Sequence, residues 1–241
     1  MQLSVIVPVF NEEAHLAQTA NQLADHLDRI VGSGNWEYVV VDNGSTDQSP
    51  HVAAEIKVKW PLTRIVSLGK ADYGEALWQG LAHSVGLYAY IINVDAWDPE
   101  FLRKAWFVRH KHDLILGSKR LRKNELPPYR RLLSWGLNKI LTWGFGFIGT
   151  DTHGQKLMNR ILMEPVRLQT VLRRGQFDTE LTLRTQRLGM ATAEIPVCLR
   201  EVRPPRNFMT KKITQNIVDL WKLRRVMRPL RSASVRHETY P

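Results

Sequence analysis

The chain has 241 residues, which is long enough for one large domain or two small ones with a substantial core. Its 34 Lys and Arg residues against 23 Asp and Glu leave a net charge of +11, which favours anionic partners such as nucleotides, phosphorylated lipids, membrane surfaces or nucleic acid. Cys198 is the single cysteine, which excludes an intrachain disulfide or a zinc cluster and predicts a reducing compartment. No apolar run reaches transmembrane length and the first residues lack a signal-peptide pattern, so we expect neither a membrane span nor a leader.

Short strand and helix patterns alternate through the first half of the chain. A run such as LYAYIINV, which is apolar on both faces and ends in Asp95, is typical of a strand at the centre of an α/β sheet. We expect Asn11 to cap the first helix, with Glu12 and Glu13 in its first turn. This order predicts right-handed crossovers and a mainly parallel sheet. The predicted strands are residues 3–9, 38–41, 65–68 and 88–94, and the predicted helices begin near residues 11, 48 and 74.

Polar side chains follow each of these four strands. They are Glu12, Asp42, Lys70 and Asp95. Ligands of open α/β sheets bind outside the carboxyl ends of the strands, where an acid can accept hydrogen bonds from a nucleobase or ribose and a lysine can reach a phosphate. Each residue also has a local interpretation as a helix cap, turn former or solvated charge, and we assign that local role to Glu13 and Asp47.

Four segments resemble the family 2 glycosyltransferases of the GT-A fold: SVIVPVFNEE, VVVDNGSTD, the stretch from Gly69 to Leu81, and VDAWDP. The resemblance to dolichol-phosphate and polyprenol-phosphate mannose or glucose synthases extends from Leu3 to about Arg228. It implies an α/β, Rossmann-like GT-A domain with a mainly parallel central sheet flanked by helices and a C-terminal amphipathic helix. The domain would cover residues 1–230, with a nucleotide-binding half at 1–99, an acceptor half at 100–230, and a disordered polar tail at 231–241.

The resemblance also implies roles for individual residues. The donor would be a nucleotide-sugar, and Asp95 would hold the divalent cation, Mg²⁺ or Mn²⁺, that bridges its diphosphate. The donor site would be formed by Pro8, Phe10, Glu12, Asp42, Lys70, Asp95, Ala96, Asp151, Arg206 and Lys211. Lys119 and Arg120 would face the phosphate of a polyprenyl-phosphate acceptor, and Asp178 would support catalysis with Asp95.

Two positions depart from the family pattern. Asn43 replaces the second of two acids after the second strand, and Trp97 stands where the second acid of the metal motif Asp-x-Asp belongs. A hard cation can take ligands from phosphates and water, so Asp95 could suffice, or Asp98 could complete the site. Alternatively Lys and Arg replace the cation, or activity is lost.

Two stretches of the second half mix aromatic and basic residues. The first, 129–148, is too polar and too rich in glycine to span a membrane; it suits either a helix lying in the membrane interface or a core helix with a basic rim. The second, 210–228, could dock on the domain or on a membrane. Within the late strand 193–199, Cys198 is interpreted as a small core residue.

The resulting hypothesis is inverting transfer of one sugar from a GDP-mannose or UDP-glucose type of donor to a polyprenyl phosphate, by a protein bound peripherally at the cytoplasmic face of a membrane. A lipid phosphate is already anionic near neutral pH, so no protein base is needed. Alternatives are a saccharide or soluble acceptor, with Asp178, Glu180 or His153 as base, and a non-catalytic nucleotide-sugar-binding or membrane-binding protein. A membrane-protein partner is possible. Nucleic-acid binding is disfavoured because the sequence shows no recognition helix. Dinucleotide oxidoreduction is disfavoured because no G-x-G-x-x-G motif follows the first strand.

Overall fold

A computed structural model describes residues 1–119, 128–173, 175–198, 209–227 and 236–240, with side chains described except over 128–134 and 209–217. Strands and helices alternate through most of this range. The strands are β1 (Leu3–Val9), β2 (Trp36–Asp42), β3 (Arg64–Ser67), β4 (Tyr88–Ile91), β5 (Leu114–Ser118), β6 (Lys156–Asn159), β7 (Ala191–Pro196) and β8 (Arg236–Thr239). The helices are α1 (Leu16–Ile30), α2 (Ser49–Lys59), α3 (Tyr73–His83), α4 (Pro99–Val108), α5 (Pro128–Phe145), α6 (Arg160–Gln169), α7 (Phe177–Arg187) and α8 (Met209–Met227).

All of these strands belong to one sheet, in the order β3-β2-β1-β4-β6-β5-β7-β8. β1 pairs in parallel with β2 and with β4, and the other pairs are also parallel except those that β6 makes with β4 and β5. The mainly parallel α/β sheet predicted from the sequence is therefore confirmed. Because β1, β2 and β4 run in the same direction, the loops that follow them meet at one edge of the sheet.

The sheet is buried on both faces, which explains the continuous apolar strands. On one face Leu16, Leu23 and Leu27 of α1 pack against β1 and β2. On the other face α3 lies close to the sheet, because a Cβ added at Gly80 would stand only 2.4 Å from the Ile6 Cγ2. This close approach fixes the position of the N-terminus of α3 beside the strand ends.

Three predictions about individual residues are wrong. Asn11 does not cap α1, which begins at Leu16; it adopts a left-handed backbone with φ 54° and contacts the loop after β2 instead. The central strand β4 ends at Ile91 and not at Val94, because the chain turns back through a bridge between Asn93 and Ala96. Cys198 is exposed and is not a core residue.

The predicted disorder of the tail 231–241 is also wrong for residues 236–240. β8 pairs in parallel with β7, from Arg236 opposite Ala191 to Thr239 opposite Glu194. The Tyr240 hydroxyl lies 2.9 Å from the His112 Nε2, and its ring packs edge-on against the imidazole. The polar composition of the tail concealed this strand because three of its four residues are exposed.

Removal of residues 236–241 should destabilise the protein. The truncation deletes the β7–β8 pairing and uncovers His112, so we expect the free energy of unfolding to fall by about 2–4 kcal/mol, at roughly 1 kcal/mol per hydrogen bond lost. Denaturant unfolding checks this, with Tyr240→Phe as the control that keeps the strand and removes one hydroxyl. An unchanged unfolding midpoint in the truncated protein would contradict the assignment.

Candidate active site

An open cleft of about 130 Å³ lies at the edge of the sheet where β1, β2 and β4 end. Four residues predicted for the donor site share it: Pro8, Phe10, Glu12 and Asp95. Phe10 is 40% exposed, which leaves its ring available to a ligand. The cleft is also lined by Val9, Asn43, Tyr73, Asn93 and Val94.

The loops after β1 and β2 are tied together by hydrogen bonds. The Asn11 Oδ1 accepts from the Thr46 backbone N–H at 2.8 Å, and the Glu12 backbone N–H donates to the Ser49 Oγ at 2.7 Å. The Glu13 carboxylate accepts from the Gln48 N–H at 2.7 Å, and the Asp47 carboxylate accepts from the Ser49 N–H at 2.9 Å. The local role predicted for Asp47 is therefore confirmed, whereas that of Glu13 is wrong: Glu12 and Glu13 precede α1 instead of lying in its first turn, and Glu13 contacts the loop after β2. These contacts hold one rim of the cleft in place.

Asp42 and Asn43 both lie at the end of β2. Asp42 is buried, and its Oδ1 accepts from the Ser45 N–H at 3.1 Å. The Asn43 Oδ1 accepts from the Asp72 N–H at 2.6 Å, immediately before α3 begins. Lys70 is exposed on the adjoining loop, whose backbone passes within 3.4 Å of a Cβ placed at Gly44. Asn43 thus lines the cleft and also locates α3.

The pair of polar side chains that faces the cleft after β4 is Asn93 and Asp95. Trp97, which stands where the family pattern has the second acid of the metal motif, does not line the cleft. Trp97 packs against the hydrophobic core and against His26 of α1, with ring centroids 5.7 Å apart. Ala96 closes the turn, and its N–H donates to the Asn93 carbonyl oxygen at 3.3 Å.

The Asp98 side chain contacts backbone groups of the protein. It caps α4, and its Oδ1 accepts from the Glu100 N–H at 3.0 Å. Its Oδ2 accepts from the Cys198 N–H at 2.7 Å. Because backbone donors occupy both oxygens and the side chain is buried, these contacts fit an anchor between α4 and the chain after β7 better than the predicted metal ligand.

Tyr73 connects α3 to the residues after β4. Its hydroxyl donates to the Asn93 Oδ1 at 3.1 Å. Burial raises the pKa of Tyr73 well above its ordinary value, and the nearby charges of Asp178 and Asp95 raise it further. The phenol therefore stays protonated and acts as a hydrogen-bond donor.

A second group of loops carries the predicted acceptor residues. Glu194 of β7 is buried and accepts from the backbone N–H groups of Thr150 and Asp151, at 2.6 and 3.2 Å. Burial raises the pKa of Glu194, and the two backbone donors oppose that shift. The Thr150 hydroxyl also contacts Ser118, which directly precedes the half-buried Lys119. Lys119 and Asp151 thus lie on loops that contact each other.

Asp178 is not exposed to solvent. It is 1% exposed, and its Oδ1 lies 3.0 Å from the Nζ of Lys156, which is 0% exposed. The Lys156 Nζ also donates to the Gly154 carbonyl at 3.0 Å. Glu180, another candidate base, is equally buried and pairs with Arg184 at 2.7 Å. Both carboxylates are therefore engaged as ion pairs within the protein.

Three predicted residues lack described side chains. Arg120 and Arg206 lie outside the described residues, and the side chain of Lys211 on α8 also lies outside them. Their assignments to the acceptor phosphate and the donor diphosphate stay predictions. Within the described part of the chain, no group of three or more His, Cys, Asp or Glu side chains could hold a metal ion.

Tyr73, Asn93, Lys156 and Glu194 were missed from the sequence. Asn93 was hidden inside an apolar run, and Lys156 lies on a short strand that sequence patterns do not show. Usable signals were the spacing of Asn93 two residues before Asp95 and the stretch Gly154-Gln155-Lys156, which resembles the Gly-x-Lys segment of the family.

α5 and α8 each present a buried apolar side and an exposed side with tryptophan. Leu141 and Phe145 of α5 pack with Leu223 and Met227 of α8. The core-helix interpretation of 129–148 therefore fits the side of α5 that carries Leu141 and Phe145, and the membrane-interface interpretation stays a prediction for the exposed side. The exposed positions include Trp135 at 55%, Trp143 at 79% and Trp221 at 65%, with the Lys139 Nζ 5.4 Å from the Trp143 ring centroid. No helix in the described ranges has both the length and the apolar character to cross a membrane.

Comparison with known proteins matches residues 4–174 to the family model "Glycosyl transferase family 2". A dolichyl-phosphate beta-glucosyltransferase of Trichomonas vaginalis is 27% identical over 216 residues, which cover 83% of this chain and 66% of that protein. An undecaprenyl-phosphate mannosyltransferase of Micrococcus luteus is 25% identical over 83% of this chain and 84% of its own length. The chain thus spans slightly less than two thirds of the first of these relatives.

The fold also matches solved structures. Glucosyl-3-phosphoglycerate synthase from Mycobacterium tuberculosis, in complex with Mn²⁺ and UDP-glucose, aligns with a TM-score of 0.58 at 21% identity and covers 92% of this chain and 78% of its own. The GT-A architecture expected from the sequence is confirmed by this match.

Breaking the buried ion pair of Lys156 and Asp178 from one side should destabilise the protein. Lys156→Met leaves an uncompensated carboxylate in the interior, so the free energy of unfolding should fall by about 3–5 kcal/mol. The double variant Lys156→Met/Asp178→Asn, which removes the charge, should recover part of that loss in denaturant unfolding. If the double variant is no more stable than Lys156→Met, the ion pair is not the cause.

Proposed function

This chain belongs to glycosyl transferase family 2, and we propose that it transfers a single sugar from a nucleotide-sugar to a polyprenyl phosphate with inversion at the sugar carbon. The observation that carries the proposal is the cleft shared by Pro8, Phe10, Glu12 and Asp95 at the carboxyl edge of β1, β2 and β4. The two lipid-phosphate glycosyltransferases that align with more than 80% of this chain support the acceptor class.

The donor would lie along the nucleotide-binding half, residues 1–99. Pro8, Phe10 and Glu12 would border the nucleoside, and Asp42 would contact the base. Lys70 would reach the diphosphate from its exposed loop, with Ala96 beside it. Arg206 and Lys211 are proposed to approach the diphosphate from the second half, and Asp151 to contact a sugar hydroxyl.

A divalent cation, Mg²⁺ or Mn²⁺, would neutralise charge on the leaving diphosphate. Of the two acids predicted to hold it, Asp95 lines the cleft and Asp98 has both oxygens bonded to backbone N–H groups. The donor set of this chain therefore fits a cation bound through Asp95, with its other ligands supplied by phosphates and water.

The acceptor phosphate would be held in the half from residue 100 to 230, by Lys119 and Arg120. A phosphate monoester with a second pKa of about 6 is already a nucleophile at neutral pH. Asp178 is buried against Lys156, so we assign it a supporting role beneath the site and not proton transfer. Of the three candidate bases for a saccharide acceptor, Asp178 and Glu180 are buried in ion pairs and only His153 is partly exposed, which favours an anionic acceptor that needs no base.

We also propose peripheral binding to the cytoplasmic face of a membrane. Exposed tryptophans beside cations suit the headgroup region of an anionic bilayer. Trp135, Lys139 and Trp143 follow one another at four-residue spacing and so form one stripe along α5. Trp221 with Arg225 repeats this combination on α8.

An assay of sugar transfer tests the reaction. Purified protein with labelled UDP-glucose or GDP-mannose and a polyprenyl phosphate should form a labelled glycolipid with one of the two donors. Asp95→Asn should lower kcat/KM by at least about 100-fold, because it weakens stabilisation of the leaving diphosphate. Asp25→Asn, an exposed change on α1, is the matched control and should have no effect. Transfer to 3-phosphoglycerate and not to the lipid, or to neither, would contradict the proposal.

Vesicle binding tests the membrane surface. Trp135→Ala/Trp143→Ala should weaken binding to vesicles that contain phosphatidylglycerol by about tenfold, because two interfacial aromatic anchors are lost. Phe107→Ala on α4, which removes a ring that is 86% exposed, is the control and should bind as the parent does. An equal loss of vesicle binding in both variants would indicate nonspecific binding by exposed aromatic rings and would overturn the assignment to α5.

A further inference from the structure

The two amides in the cleft, Asn43 and Asn93, are connected by a continuous set of contacts through the start of α3. The Asn43 Oδ1 accepts from the Asp72 N–H at 2.6 Å, and α3 begins at the next residue, Tyr73. The Tyr73 hydroxyl donates to the Asn93 Oδ1 at 3.1 Å. The position of the Asn93 side chain is thus set by a helix that is itself held at the end of β2.

The bond from Tyr73 determines which part of Asn93 can meet a ligand. The amide oxygen accepts the phenol hydrogen, which turns the amide so that both N–H groups are left as donors for a ligand. Asn93 is half-buried and lines the cleft beside Asp95. An oxygen-rich ligand in this cleft would therefore meet a hydrogen-bond donor at Asn93 and a carboxylate at Asp95.

We propose that Asn93 binds the donor by donating a hydrogen bond to an oxygen of the nucleoside diphosphate, and that Tyr73 is the positioning residue that aims it. The inference rests on the proposed function, because it takes the cleft as the donor site. Compared with a carboxylate at this position, the Asn93 amide adds no negative charge beside Asp95. The diphosphate is therefore repelled less, and its binding depends less on a divalent cation.

Calorimetric binding of UDP and GDP, each in Mn²⁺ and in EDTA, tests the role of Asn93. Parental affinity for the preferred nucleotide should differ by less than about tenfold between the two conditions. Asn93→Asp places a second carboxylate at the diphosphate, so affinity in EDTA should fall at least about tenfold and should recover in Mn²⁺. A parent that needs Mn²⁺ as strongly as Asn93→Asp does would overturn the inference.

The positioning role of Tyr73 requires a double-mutant cycle. Tyr73→Phe keeps the ring and removes the hydroxyl, and it should weaken nucleotide binding by about three- to tenfold. The same change in an Asn93→Ala background should have no further effect, because there is no amide left to orient. A loss that persists in that background would show that Tyr73 acts only on structure and would overturn its assigned role.

These outcomes are separable from those of the proposed function. If the parent binds nucleotide and the Asn93 and Tyr73 variants behave as the parent, only the inference fails. If the parent binds neither nucleotide under any condition, the donor-site assignment fails and the inference with it. Thermal unfolding of each variant confirms that the compared proteins are folded.

Discussion

Parallel pairing of β1 with β2 and with β4 is the constraint on which the rest of the site depends. It brings three strand ends to one edge, so that loops separated by more than thirty residues form a single cleft. Helices cover both faces of the sheet, so the apolar side chains on both faces of β1, β2 and β4 are removed from water when these strands pair. The hydrogen bonds of Asn11 and Asn43 then hold the loops in their relative positions.

Buried charges organise the half of the chain that is proposed to bind the acceptor in a different way. Lys156 with Asp178 and Glu180 with Arg184 are ion pairs inside the protein, and Glu194 holds the loop at Thr150 and Asp151. Such pairs contribute less net stability than apolar packing of equal volume, yet each is costly to break from one side. Glu194 and Lys156 contact the backbone of the loop 150–154, which carries Asp151 and meets Ser118 beside Lys119, so these two buried charges also have a geometric role.

Much of the fold and part of the site follow from the sequence. Apolar runs ending in polar residues identified the strands and placed Glu12 and Asp95 at one edge. The pattern could not show that β4 stops at Ile91, because Ile92 and Val94 are buried without continuing the strand. It also could not show β8, whose polar residues depend on β7 for pairing. Side-chain partners such as Tyr73 and Asn93 are far apart in sequence and become visible only when the helices are placed.

One edge of the sheet is proposed to bind the nucleotide, and the adjacent loops are proposed to bind the acceptor phosphate. Hydrogen–deuterium exchange with and without UDP or GDP tests this arrangement most directly. We expect the preferred nucleotide to slow exchange at residues 10–13, 43–49, 69–75 and 93–97, and added polyprenyl phosphate to extend protection to 118–119 and 149–153. Protection confined to other parts of the chain, or no protection by either nucleotide, would contradict it.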